Sequence, residues 1–213
     1  MEYISLPYKE VESMIEEGDV LLFRGKGFIS YFIKALGNGH YSHVGLASWV
    51  HNKKGKRKNL ECLEFSEKFG SRAVDLERYI ESADNSGRVD VYRPVSNYSL
   101  WSFNPSVEDK PYQQGLRYKG AKLTSEFRSL TGLPYGWWRI WQLIKTHMLG
   151  LRLILRKRHL DDSEALKYPV CSTIIAHLFS KHYVDLVNLR SPNRTEPSDI
   201  ARSPILNYLF TLT

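Results

Sequence analysis

The chain has 213 residues, 42% hydrophobic and 25% charged. That is enough for one compact domain that buries roughly 70% of its unfolded surface without covalent staples, and it excludes a disordered tail protein. Two cysteines, Cys62 and Cys171, exclude a disulfide framework and any four-cysteine zinc module.

The N-terminus is mixed in charge with no apolar h-region, and no apolar run reaches transmembrane length. The expectation is a cytoplasmic protein. The excess of 30 basic over 23 acidic residues, net +7, sits in one place. Between Phe127 and Leu160 there is no acidic residue, while Arg128, Arg139, Lys145, Arg152, Arg156, Lys157 and Arg158 supply the whole excess. A segment of that kind faces either solvent or an anionic surface.

In chain order, residues 8–17 read as a short helix stopped by Gly18, and Asp19–Phe23 as a buried strand. Phe28–Leu36 is apolar at helical spacing up to the break at Gly37-Asn38-Gly39. Ser42–Val50 and Asn59–Phe65 read as strands joined by the polar run 51–58, and Arg88–Tyr92 as a further strand. The first half therefore predicts a small, mostly antiparallel sheet with short helices. Val107–Leu130 is weakly helical up to Gly132-Leu133-Pro134. From Trp137 to Leu160, Trp137, Trp141, Ile144, Met148, Leu151 and Leu155 form one stripe, and Gln142, Lys145, Arg152 and Arg156 another. This is the pattern of a basic amphipathic helix. Pro169 ahead of an apolar helical run puts Cys171 at or near a helix N-terminus.

A thiol there feels the positive end of the helix dipole and unpaired N–H groups, which favour thiolate. A nucleophile needs a base, and His43, between Ser42 and Val44 in a strand, is the best candidate. Taken singly, a cysteine before Ile-Ile-Ala and a strand histidine are more often structural. His40 and His43 with the two cysteines do not make a recognised closed zinc site, so no metal or cofactor is expected. Serine-hydrolase elbows, P-loops and dinucleotide-binding glycine motifs do not occur.

The local sequences resemble the circularly permuted, NlpC-like branch of the papain-like cysteine hydrolases, the YiiX-like and lecithin:retinol acyltransferase-like group. The matching pieces run in that family's order: Gly18-Asp19-Val20-Leu21-Leu22-Phe23, Tyr41-Ser42-His43-Val44-Gly45-Leu46, Leu63-Glu64-Phe65-Ser66, Gly132-Leu133-Pro134-Tyr135, Cys171-Ser172 and Pro197-Ser198-Asp199-Ile200. Histidine before cysteine is the most specific feature, since unpermuted relatives place cysteine first. The resemblance spans roughly residues 18–205 with gaps, and it departs at Thr173, where an acidic residue is common.

That resemblance implies an α+β, permuted papain-like domain over residues 1–213 with a helical insertion at 105–160. Cys171 would attack a carbonyl, His43 would shuttle the proton and Glu64 would orient the ring. The Cys171 N–H and the Tyr135 hydroxyl would hold the oxyanion. Glu61 is the rival to Glu64 should the strand register shift by an odd number of residues. The expected activity is cleavage of an amide, ester or thioester through a cysteine acyl-enzyme. The alternative is a non-catalytic module on the same fold that binds a membrane surface or nucleic acid, nucleic acid being the less expected partner. The basic helix adds a peripheral membrane expectation: residues 137–160 would dock on anionic lipid.

Overall fold

The computed structural model describes residues 4–25, 28–36, 39–82, 88–95, 119–137, 169–182, 186–187, 192 and 195–213. One seven-stranded sheet organises them. Its strands are β1 (Ser5–Leu6), β2 (Val20–Phe23), β3 (His43–His51), β4 (Arg57–Ser66), β5 (Gly70–Asp75), β6 (Val89–Pro94) and β7 (Leu206–Leu212). Their spatial order is β1-β7-β6-β2-β3-β4-β5, antiparallel except where β1 meets β7. The sheet is thus mostly antiparallel, but it is not confined to the first half of the chain. The C-terminal strand β7 pairs with β6 and carries β1 on its other side. The fold class is α+β.

Six helices accompany the strands among the described residues: α1 (Tyr8–Val11), α2 (Phe28–Leu36), α3 (Leu76–Glu81), α4 (Gly120–Ser129), α5 (Cys171–Lys181) and α6 (Pro197–Ala201). The helix expected over 8–17 stops early. After Val11 the chain tightens into a 3₁₀ turn at Glu12–Met14, leaving Met14 55% exposed and driving Ile15 fully into the core.

Period-2 alternation divides the core between the two faces of the sheet. Val20, Leu22, Val44, Leu46, Leu63 and Phe65 pack with Phe127 of α4 and with Ile174, Ile175, Leu178 and Phe179 of α5. Leu21, Phe23, Ala47, Cys62, Val89 and Val91 pack on the other face with Val11, Ile15, Leu76 and Ile80. Helix α5 is buried along most of its length, so its first residue is held by the core and not by a mobile end.

Arg128, one of the seven basic residues that make up the charge excess, is tied to the sheet. It donates to Ser48 Oγ at 2.9 Å and pairs with Glu61 at 2.8 Å. The amphipathic pattern beyond Trp137 lies outside the described residues, as does most of the segment 105–160 expected to be a helical insertion. Among the described residues, no helix is long and apolar enough to cross a membrane.

Candidate active site

Three strands and one helix start bring the sequence-derived residues together. Ser42, just before β3, fixes the entry: its N–H donates to the Phe23 carbonyl at 3.0 Å, and its Oγ accepts from Gly25 N–H at 3.0 Å. His43 is then the first residue of β3, opposite Phe23 of β2. The Phe23 ring packs against the imidazole with centroids 5.4 Å apart, limiting its rotation.

In the β3–β4 register Gly45 stands opposite Glu64, two residues along from His43 on the same face. Glu61 stands opposite Ser48, on the other face, where Arg128 takes it. The register therefore selects Glu64 over Glu61. Gly45 is required by this arrangement: a Cβ there would come 2.5 Å from Cys62 Sγ and 2.9 Å from the Leu63 carbonyl oxygen. Cys62 is thus a buried filler between β3 and β4, remote in role from the histidine.

Glu64 is fully buried and saturated with donors. His43 Nε2 lies 2.6 Å from its Oε2, and the Tyr79 hydroxyl donates to the same oxygen at 2.6 Å. Arg72 grips Oε1 through Nε at 2.7 Å and Nη2 at 2.6 Å. Burial works against this carboxylate, yet the His43 charge and the hydrogen bonds from His43, Tyr79 and Arg72 prevail and hold its pKa down at about 2. The imidazole behaves reciprocally. Burial disfavours its charged form, but Cys171 and Glu64, as charges and as hydrogen-bond partners, outweigh burial and push it up to about 10. The ring is thus made more basic than an ordinary imidazole, with Nε2 turned to Glu64 and Nδ1 left to face the Cys171 sulfur.

Arg72 and Tyr79 were not among the residues the sequence pointed to. Arg72 sits directly opposite Glu64 in the β4–β5 hairpin, so a hairpin reading of residues 61–75 would have paired them. Tyr79 comes from α3, whose N-cap is Asp75, with the side chain accepting from Arg78 N–H at 3.1 Å.

Cys171 opens α5 after Val170 in extended conformation, as Pro169 foretold. Ser172 anchors the first turn by donating from Oγ to the Thr195 carbonyl at 2.6 Å. The Pro197-Ser198-Asp199 element closes the far side, with Ser198 Oγ donating to the Tyr41 carbonyl at 3.5 Å. Tyr135 is brought to the thiol by backbone contacts on both sides. Gly136 N–H donates to the Pro169 carbonyl at 2.8 Å, and Ser71 N–H to the Leu133 carbonyl at 2.8 Å. Gly70, at φ +71°, makes that second approach feasible, since a Cβ would meet the Leu133 oxygen at 2.3 Å. Burial, with Cys171 and Glu67 nearby, raises the Tyr135 phenol well above its usual range, so it stays a hydrogen-bond donor.

All four sequence-derived residues thus meet at one place. A cysteine sulfur at the N-terminus of a buried helix, an imidazole of raised basicity beside it, a buried carboxylate behind the ring and a phenol close by form a constellation suited to cysteine chemistry on a carbonyl. Around it stands an α+β architecture of YiiX-like type. The solved structure that carries this comparison is the metalloprotein YiiX from Escherichia coli O157:H7, with TM-score 0.55 and 14% identity over 92% of this chain and 96% of that one. At that identity the likeness is one of fold. No protein-family model matches the sequence, and no curated protein matches it.

Proposed function

We propose that this chain is a cysteine-dependent hydrolase or acyltransferase of the permuted papain-like kind, acting on an amide, ester or thioester. The observation that carries the reading is the polarised imidazole: His43 is held on Nε2 by buried Glu64 and partnered on its other side by Cys171. In this reading the Cys171 sulfur attacks the carbonyl carbon, and the N–H of Cys171 and the hydroxyl of Tyr135 receive the oxyanion. His43 then passes its proton to the departing nitrogen, oxygen or sulfur, leaving an acyl-cysteine. Water or an acceptor alcohol or amine, deprotonated by His43, releases the acyl group and restores the thiol. Glu64 holds the tautomer and stabilises the ring charge throughout. The chain order of histidine, glutamate and cysteine supports the permuted arrangement.

The structurally similar YiiX is called a metalloprotein. The donor set here does not fit a metal: His43 Nε2 is spent on Glu64, Glu64 is filled by Arg72 and Tyr79, and no group of three or more potential ligands converges among the described residues. No step is therefore routed through one. Docking of residues 137–160 on an anionic bilayer is a proposal from the sequence alone, because all of that stretch after Trp137 lies outside the described residues.

The test is thiol labelling with iodoacetamide at about pH 6, where an ordinary thiol is almost fully protonated. Cys171 should label rapidly and stoichiometrically and Cys62 should not. Labelling of Cys62 in preference, or of neither residue, would overturn the reading.

A further inference from the structure

Phe69 ends the turn that joins β4 to β5, where Ser66 pairs with Gly70 across its base. The residue is apolar, yet it stays 58% exposed. A single exposed aromatic needs no explanation by itself. What gives this one a role is what its ring covers. The Arg72 guanidinium carbon lies over it, 4.5 Å from the ring centroid. Lys68 Nζ lies 5.2 Å from the same centroid.

Arg72 uses two surfaces of one planar group. Along its edge, Nε and Nη2 donate to Glu64 Oε1 at 2.7 and 2.6 Å. Its face is turned to Phe69. A guanidinium suits both tasks, because its donors lie in the plane while its weakly hydrated face stacks on an aromatic ring; a lysine ammonium could not do both. The hairpin makes the two contacts converge. Arg72 stands directly opposite Glu64 in the β4–β5 ladder, and the turn brings Phe69 back over it. Contacts therefore run unbroken from the surface to the site: Phe69 to Arg72 at 4.5 Å, Arg72 to Glu64 at 2.6 Å, and Glu64 to His43 at 2.6 Å.

The weak link in that series is the arginine. The Glu64 side chain is only 1% exposed, but that of Arg72 is 31% exposed, so water reaches the support of the carboxylate through the guanidinium. Water and salt compete for an ion that is open to them. A ring over the guanidinium face excludes water from that side and adds the attraction of its π-electrons for the cation. Oε1 is thereby held, and with it the orientation of Oε2, which serves His43 Nε2 and the Tyr79 hydroxyl.

We propose that Phe69 is a positioning residue of this site, clamping Arg72 onto Glu64 and, through that carboxylate, holding the His43 ring in place for Cys171. The inference rests on the reading of Cys171 as the nucleophile. It assigns the exposed β4–β5 turn to the support of the triad.

The test follows the Arg72 Nε–H by NMR and the alkylation of Cys171 by iodoacetamide at about pH 6, both in the full chain. Phe69→Leu keeps an apolar side chain and removes the ring. It should speed exchange of the Arg72 Nε–H with solvent by about fivefold and slow alkylation of Cys171 by about threefold or more. Phe69→Tyr and Phe69→Trp restore a ring and should hold both rates within about twofold of the parent chain. In an Arg72→Gln background, Phe69→Leu should have almost no further effect on alkylation, because the route from the turn to Glu64 is already cut. Unchanged Nε–H exchange in Phe69→Leu, equal effects of Phe69→Leu and Phe69→Tyr, or the same slowing of alkylation with and without Arg72 overturns the proposal. Circular dichroism checks that each variant folds; should Arg72→Gln fail to fold, the substitutions at exposed Phe69 decide alone. A parent chain whose Cys171 resists iodoacetamide sinks the cysteine-hydrolase reading and this inference with it, whereas normal labelling with an unmoved Arg72 proton sinks this inference alone.

Discussion

Replacing Glu64 by Gln removes one charge and almost no volume, so its effect isolates the electrostatics behind the ring. In the native site Oε1 takes two donors from Arg72, and Oε2 takes His43 Nε2 and the Tyr79 hydroxyl. An amide keeps one acceptor oxygen. Whichever way it turns, its NH₂ confronts either Arg72 or the His43–Tyr79 pair. Each buried group left without a partner costs about 1–3 kcal/mol, and two such groups give roughly 2–6 kcal/mol. That agrees with the ~3–5 kcal/mol typical of breaking a buried ion pair. Against a total stability of about 5–15 kcal/mol, this is a large fraction. The His43 ring should also lose part of its elevation, because one of the two partners holding it near 10 is neutralised. Urea unfolding at about pH 6 gives the first quantity, and an NMR titration of the His43 ring gives the second. A loss below ~1 kcal/mol together with an unmoved imidazole titration would refute the role assigned to Glu64.

The pH dependence of stability follows from the same pair. The raised His43 contributes in full below its ordinary value of 6.5 and fades as pH climbs toward about 10. The depressed Glu64 contributes in full above 4.5 and fades as pH falls toward about 2. Unfolding free energy should therefore peak between those ordinary values, and His43→Ala should flatten the alkaline limb. Gly45→Ala should cost roughly 1–3 kcal/mol by overpacking, measured by urea unfolding. Cys62→Ala should recover part of that loss by freeing the space of Sγ; strict additivity of the two changes would count against the close approach. Changing Arg152, Arg156, Lys157 and Arg158 together to Gln should abolish any preference for anionic over neutral vesicles in co-sedimentation. Equal binding by the parent chain to both vesicle types would remove the membrane proposal.

What the sequence made legible was local or periodic. Pro169 followed by an apolar helical run marked the start of α5 and so placed Cys171 at its head. Alternation in β3 and β4 put His43 and Glu64 on one face once the register paired Gly45 with Glu64, and put Glu61 on the other. The support of Glu64 was harder to see. Arg72 belongs to a strand whose Gly-Ser-Arg-Ala-Val-Asp has little apolar alternation, and Tyr79 to a helix of only six residues, so neither announces itself without the hairpin that joins β4 to β5. Strand β7 reads as a short apolar run, and only its pairing with β6, over a hundred residues earlier, makes it part of the sheet. The order of motifs carried more information than any motif alone, because Ser42 and Gly45 each have a packing reason visible only in three dimensions.

The most direct measurement of the central claim is the mass of the intact protein during turnover of a reactive acyl ester. A p-nitrophenyl ester of a short acyl chain should give a burst of about one equivalent of p-nitrophenol and an acyl adduct that maps to Cys171. His43→Ala should suppress the burst by about a hundredfold or more, and Cys171→Ala should eliminate it. Release of p-nitrophenol without any adduct on Cys171, or an adduct that forms equally fast in His43→Ala, would contradict the account.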